Sequence, residues 1–127
     1  GSVRITPTTT SGVTAGPCED RALFDKDVTI EDDSVVKANT DFIKTWRLQN
    51  TGTCTWAAGY TLVYGYGEKM NGKAVALTSD VAPGGTTEVS VNLTAPSKAG
   101  NYTAAWRMAN ANGYPFGAFV TVVIAVK

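Results

Sequence analysis

From Phe24 to Val126 short apolar runs alternate with clusters of Gly, Pro, Asn and Asp, and no segment carries a helical period, which is the pattern of an all-β domain. Leu23 to Ile30 reads as a first strand, and the turn Glu31-Asp32-Asp33-Ser34 leads through Val35-Val36 and Ala38-Asn39 to a second at Thr40 to Asn50. In that second strand Phe42, Trp46 and Leu48 share one face, and Ile43, Thr45, Arg47 and Gln49 share the other. Tyr60 to Tyr66 is a third strand, with Leu62 and Tyr64 at period two, and Lys73 to Leu77 is a short fourth at a sheet edge. The turn Val81-Ala82-Pro83-Gly84-Gly85 has Pro and Gly at its central positions and feeds Thr86 to Leu93. There Val89, Val91 and Leu93 point one way and Glu88, Ser90 and Asn92 the other. Asn101 to Asn110 and the nearly continuous apolar run Phe116 to Val126 complete the set.

About seven antiparallel strands at regular spacing predict an immunoglobulin-like β-sandwich, with a small closed barrel as the rival. Tyr102 follows a Pro/Gly turn at the start of the sixth strand, where such folds tie a tyrosine hydroxyl back to upstream backbone. The phrase Trp-Arg-apolar-x-Asn occurs twice, at Trp46 to Asn50 and at Trp106 to Asn110. Strands two and six of this topology lie in opposite sheets, so Trp46 and Trp106 are expected to fill the core from both sides, each burying on the order of 200 Å².

The length of 127 residues fits one domain, and 43% apolar with 17% charged residues is ordinary for a globular chain. No apolar run is long enough to cross a bilayer, so no membrane insertion is expected. Eleven basic and eleven acidic residues cancel, which removes the field that would draw the chain to nucleic acid. The absence of histidine takes away the usual general base and the commonest metal ligand. Gly1-Ser2 reads as an expression scar and Val3 to Pro17 as a Thr/Ser/Pro-rich linker, leaving 18–127 as the domain.

Cys18 and Cys54 are the only cysteines. A bridge between them would close a loop of about 36 residues, worth roughly 4 kcal/mol in the chain-entropy model, and implies an oxidising compartment. Seven of the eleven acids fall between Glu19 and Asp33, and Glu31-Asp32-Asp33 offers oxygen ligands of the kind calcium takes, but a solvated turn is the favoured reading. These acids sit on one segment with no second cluster to face them across a cleft, so no glycosidase pair forms. No Gly-x-Ser-x-Gly phrase supplies an activated nucleophile, and neither a catalytic residue nor a cofactor is expected.

Tyr60, Tyr64, Tyr66, Tyr114 and Trp56 are candidates for an exposed aromatic surface that would take protein or sugar. Packing is the competing reading for Tyr64, and Trp56 is expected to cover the disulfide. Tyr66 to Gly72 reads as a mobile loop, and Asn112-Gly113-Tyr114-Pro115 reads as a hairpin tip that lifts Tyr114 into solvent. Arg47 and Arg107 point away from the tryptophans, to cover a sheet, pair with acids across strands or bind an anionic peptide terminus. Asn92-Leu93-Thr94 and Asn101-Tyr102-Thr103 fit glycosylation sequons.

The run Asp41 to Gly52, then Trp56, then Gly100 to Met108, then Phe116-Gly117 resembles the four-tryptophan (FW) domain of Nbr-type autophagy cargo receptors and bacterial extracellular proteins. The resemblance covers Phe24 to Val126. It implies a non-catalytic immunoglobulin-like module for protein or peptide recognition, with Trp46, Trp56, Tyr102 and Trp106 as its core signature. The chain has three tryptophans, and Thr121 stands where the fourth is expected. Resemblance and cysteines together predict an interaction or spacer module of a larger secreted or cell-surface bacterial protein. A carbohydrate-binding accessory module is the alternative, and a cargo-binding domain of an autophagy receptor is a third reading.

Overall fold

The computed structural model describes residues 17–127, so the expected scar and linker lie outside it apart from Pro17. Among the described residues eight strands form: β1 (Ala22–Asp27), β2 (Ser34–Val35), β3 (Asp41–Asn50), β4 (Thr61–Gly67), β5 (Val75–Ala76), β6 (Thr86–Thr94), β7 (Gly100–Ala109) and β8 (Pro115–Val126). They make two packed sheets, β1-β3-β6 and β2-β8-β7-β4-β5, and the fold is an immunoglobulin-like all-β sandwich. All pairings are antiparallel except β2, which runs parallel to β8. That short strand is absent from the sequence reading because two residues carry no period. It is held where the Asp33 amide donates to the Val123 carbonyl (2.9 Å) and the Val36 amide to that of Ala125 (2.9 Å).

Trp46 on β3 and Trp106 on β7 enter the core from opposite sheets and are fully buried, with Leu48, Leu62, Val91, Met108, Val122 and Ile124 around them. The Trp46 indole donates to the Thr121 carbonyl (2.8 Å), which stitches one sheet to the other through a backbone atom that any residue at 121 would supply. The Tyr102 hydroxyl donates to the Lys98 carbonyl (2.5 Å), the tie expected of its position.

Two predicted elements differ. The first strand ends at Asp27 rather than Ile30 because the chain curls around Lys44, whose side chain is entirely buried on the inner face of β3. Its ammonium donates to Asp27 Oδ1 (2.7 Å), the Thr29 carbonyl (2.8 Å) and the Ile30 carbonyl (2.6 Å), three acceptors for three protons. Ile30 takes a positive φ of 52°, an unusual conformation for a β-branched residue, in presenting its carbonyl. The segment after Tyr66 is also not the open loop expected: Met70 is buried in the core, and its carbonyl accepts from the Thr94 amide (2.8 Å).

Candidate functional site

The doubled phrase ends each time in an asparagine that closes the turn after it. Asn50 is fully buried; its Oδ1 accepts from the Gly52 amide (3.0 Å), while its Nδ2 donates to the carbonyls of Cys54 (2.8 Å) and Val81 (3.0 Å). Asn110 repeats the device on the other sheet, its Oδ1 accepting from the amides of Asn112 (3.0 Å) and Tyr114 (3.1 Å). Their shared offset from the tryptophan was the available signal, and sequence reasoning spent it on the rings alone.

Around the first turn the N-terminal segment is laced down. Cys18 and Cys54 are joined by a disulfide, and the amides of Thr53 (2.8 Å) and Cys54 (3.2 Å) donate to the Glu19 carbonyl. The approach is so close that a Cβ on Gly52 would sit 2.2 Å from that carbonyl oxygen, so glycine is required there. Tyr60 belongs to this lacing and not to an exposed surface. Its hydroxyl donates to Asp20 Oδ1 (2.7 Å), and its ring packs edge-on against Phe116 at 5.9 Å. Burial, then the hydrogen bond to Asp20 and the nearby carboxylate charge, push the Tyr60 hydroxyl up to about 12. A raised value in the folded state means the neutral phenol stabilises the fold fully below pH of about 10 and loses that contribution as pH rises towards 12. Thermal melts across that window should fall with pH, and Tyr60→Phe should fall less steeply; equal slopes would refute the assignment.

Trp56 is packed rather than exposed: it is fully buried, pairs its backbone with Val81, and meets Phe116 edge-on at 6.0 Å. Tyr64 turns inward onto Trp106 at 5.7 Å, as its period implies. Arg47 lies on the outer face of the three-stranded sheet and pairs with Glu88 (2.9 Å) and Asp25 (3.8 Å), so acids already occupy it. Tyr114 is 69% exposed at the hairpin tip.

The outer face of the five-stranded sheet has a different character. Tyr66 on β4 and Phe119 on β8 meet edge-to-face at 5.1 Å, and both are exposed. Between them runs β7, whose Arg107 lays its guanidinium over the Phe119 ring at 4.6 Å and donates to the Gly117 carbonyl (2.7 Å). Gly65, at the bulge between Tyr64 and Tyr66, leaves the space that Phe119 fills, since a Cβ there would stand 2.5 Å from the ring. Around this cluster the strand registers place Val63, Thr103, Ala105, Thr121, Val123 and Val35 on the same face. Among the described residues Arg107 is the one charged side chain there, whereas the opposite sheet turns Lys26, Arg47, Glu88 and Asp41 outward. Thr121 lies on this surface too, two residues from Phe119 on one strand. Phe119 was overlooked in a run that reads as buried throughout. Among the described residues no three Cys, Asp or Glu gather where a metal could be held.

Comparison with known proteins places this arrangement. The family described as the Ig-like domain from next to BRCA1 gene matches over residues 29–126. Protein ILRUN of zebrafish (Danio rerio) is 36% identical over 104 residues, covering 82% of this chain and 37% of that protein. Protein JOKA2 of potato (Solanum tuberosum) is 35% identical, covering 91% and 14%, and the NBR1 homolog of Arabidopsis thaliana is 34% identical, covering 81% and 15%. The chain thus spans between about a seventh and two fifths of these relatives. Among solved structures the CARDB domain of PF1109 from Pyrococcus furiosus superposes with a TM-score of 0.50 at 15% identity, covering 92% of this chain and 95% of that one, a likeness of fold alone. With the family matched over nearly the whole of the described sandwich, the chain belongs to the Ig-like domain family from next to BRCA1 gene.

Proposed function

We propose that this domain is a non-catalytic protein-interaction module of a larger protein, and that it docks an apolar patch of a folded partner onto the outer face of its five-stranded sheet. The observation that carries the reading is the contrast between the two outer faces. One is laced with ion pairs, and the other presents an exposed Tyr66–Phe119 pair on a nearly uncharged surface. Arg107 holds the Phe119 ring in place and spends its own charge on the Gly117 carbonyl, so it supports the platform rather than reaching for an anion. The two rings stand at 72° to each other and so offer no shared flat platform for a sugar chain, which favours protein over carbohydrate.

The parent protein divides on two observations. The relatives named above, from a fish and two plants, support a cargo-binding domain of an Nbr-type receptor and lend nothing to a bacterial parent. The Cys18–Cys54 bridge supports a secreted or cell-surface location, which non-reducing peptide mapping of protein taken from its own cells would overturn by finding both thiols free. A photo-crosslinking residue at position 66 is expected to capture one partner that the same residue at position 43, exposed on the opposite face, does not. Tyr66→Ser should then weaken the purified complex about tenfold. Equal capture from both faces, or retention on a glycan array that Tyr66→Ser abolishes, would overturn the reading.

A further inference from the structure

Among the described residues the sandwich ends in four edge strands, and three of them are blunted: β2 and β5 are two residues long, and β1 is bulged between Phe24 and Lys26. The fourth, β6, runs nine residues without proline, and its register with β3 is unbroken from Asp41↔Thr94 to Gln49↔Thr86. A long, regular, open edge is a template for another strand. Its outward groups can be identified. The Ala95 amide donates to Thr40 (2.9 Å), on the β3 side, while the Thr94 amide donates away from β3 to Met70 (2.8 Å). By alternation Glu88, Ser90 and Asn92 also turn their N–H and C=O outward, and all three are exposed. Among the described residues β6 pairs with no strand but β3, so the Met70 carbonyl is the one outside partner, at the end of an otherwise open row.

Beside that edge the two sheets part over a seam. One recess of about 210 Å³ lies between Val75–Leu77 and Thr87–Ser90. A second, of about 270 Å³, is lined by Lys73, Ala74, Val75 and Asn92. From these we infer that β6 is a peptide-binding edge, which takes an extended segment of a partner as a fourth strand of the three-stranded sheet and receives two of its side chains in the seam. The inference rests on the reading of this domain as an interaction module but uses a surface separate from Tyr66 and Phe119.

The recesses also decide what the occupant is. A second copy of this chain pairing through its own β6 would have Val89, Val91 and Leu93 already sunk in its own core, with nothing to place in the seam. A free peptide has both sets of side chains available. Residues opposite Val91 and Val89 in an antiparallel strand project into the seam two positions apart. The one opposite Val91 meets Lys73, and the one opposite Val89 meets Val75 and Leu77. The preferred segment therefore reads acidic-x-apolar in the N-to-C direction.

The test uses a fluorescein-labelled, end-blocked peptide Ser-Thr-Asp-Thr-Leu-Thr-Ser against the full chain, read by anisotropy and by amide chemical shifts. Binding is expected to move the amides of Glu88, Ser90 and Asn92, and exchanging the acid for lysine should weaken it about fivefold. Lys73→Glu, an exposed change that leaves the edge intact, should reverse that preference. Ser90→Pro should abolish binding by removing an outward donor that β3 does not use. Tyr66→Ser should leave peptide affinity unchanged, so loss of the aromatic platform and loss of the edge are read separately. Shifts confined to the Tyr66 face, no saturation at millimolar peptide in a chain that still melts cooperatively, or a β6-linked dimer in sedimentation that Ser90→Pro makes monomeric would each overturn the inference.

Discussion

Trp46→Ala should lower the unfolding free energy by about 5 kcal/mol, near the whole stability of a marginal domain. The ring is completely buried between the sheets, so its loss leaves a cavity that rigid strands on both sides cannot collapse to fill. It also orphans the Thr121 carbonyl, which accepts the indole hydrogen at 2.8 Å, and an unpaired buried acceptor adds about 1 kcal/mol or more. Urea unfolding followed by fluorescence of the remaining tryptophans measures the shift. Trp46→Phe should recover roughly half of it by restoring volume without the donor. A loss under about 1 kcal/mol would mean that the ring does not hold the sheets together as the structure places it.

The second large effect belongs to the disulfide. Cys18→Ser, chosen because Cys18 is exposed whereas Cys54 is buried, should cost about 4 kcal/mol through the freed 36-residue loop. The local signature is as informative as the total. The Thr53 and Cys54 amides, which donate to Glu19, should lose hydrogen-exchange protection before the β3–β6 ladder does. If protection at Thr53 survives the substitution and the denaturant midpoint is unmoved, the backbone lacing alone holds the segment. The bridge then contributes nothing to the fold.

The architecture was legible because alternation is a property of single strands. The period of two in Thr86 to Leu93 placed Val89, Val91 and Leu93 in the core, and the structure buries all three. The two tryptophans declared the opposed sheets for the same reason: a large ring at an inward position in each half requires a partner across the gap. Lys44 shows where that logic stops. It sits at an inward position, two residues before Trp46, and was assigned to neither face because a charged side chain has no apolar period to join. Only the carbonyls of Thr29 and Ile30 and the Asp27 carboxylate, brought by a chain reversal some fifteen residues away, make its burial tolerable.

The surface was less legible still. Tyr60 and Tyr66 look alike in sequence, yet one is spent on Asp20 and Phe116 and the other faces solvent beside Phe119. Arg47 and Arg107 occupy equivalent places in the doubled phrase. One is consumed by acids, and the other props an aromatic ring.

The sequence by itself determined the all-β class, the inward faces of the long strands, the tyrosine tie, the pairing of Cys18 with Cys54 and the family. The family rests on resemblance of the spaced Trp, Asn and Gly motifs, and the others rest on period, local turn chemistry or residue count, which are properties of neighbouring positions in the chain. Tertiary structure alone decided which aromatics remain exposed, which outer face carries charge, that Lys44 is buried and that β6 has an open edge beside a seam. Those outcomes depend on which strands become neighbours in space, and contacts between distant residues leave no periodic trace in the chain that makes them.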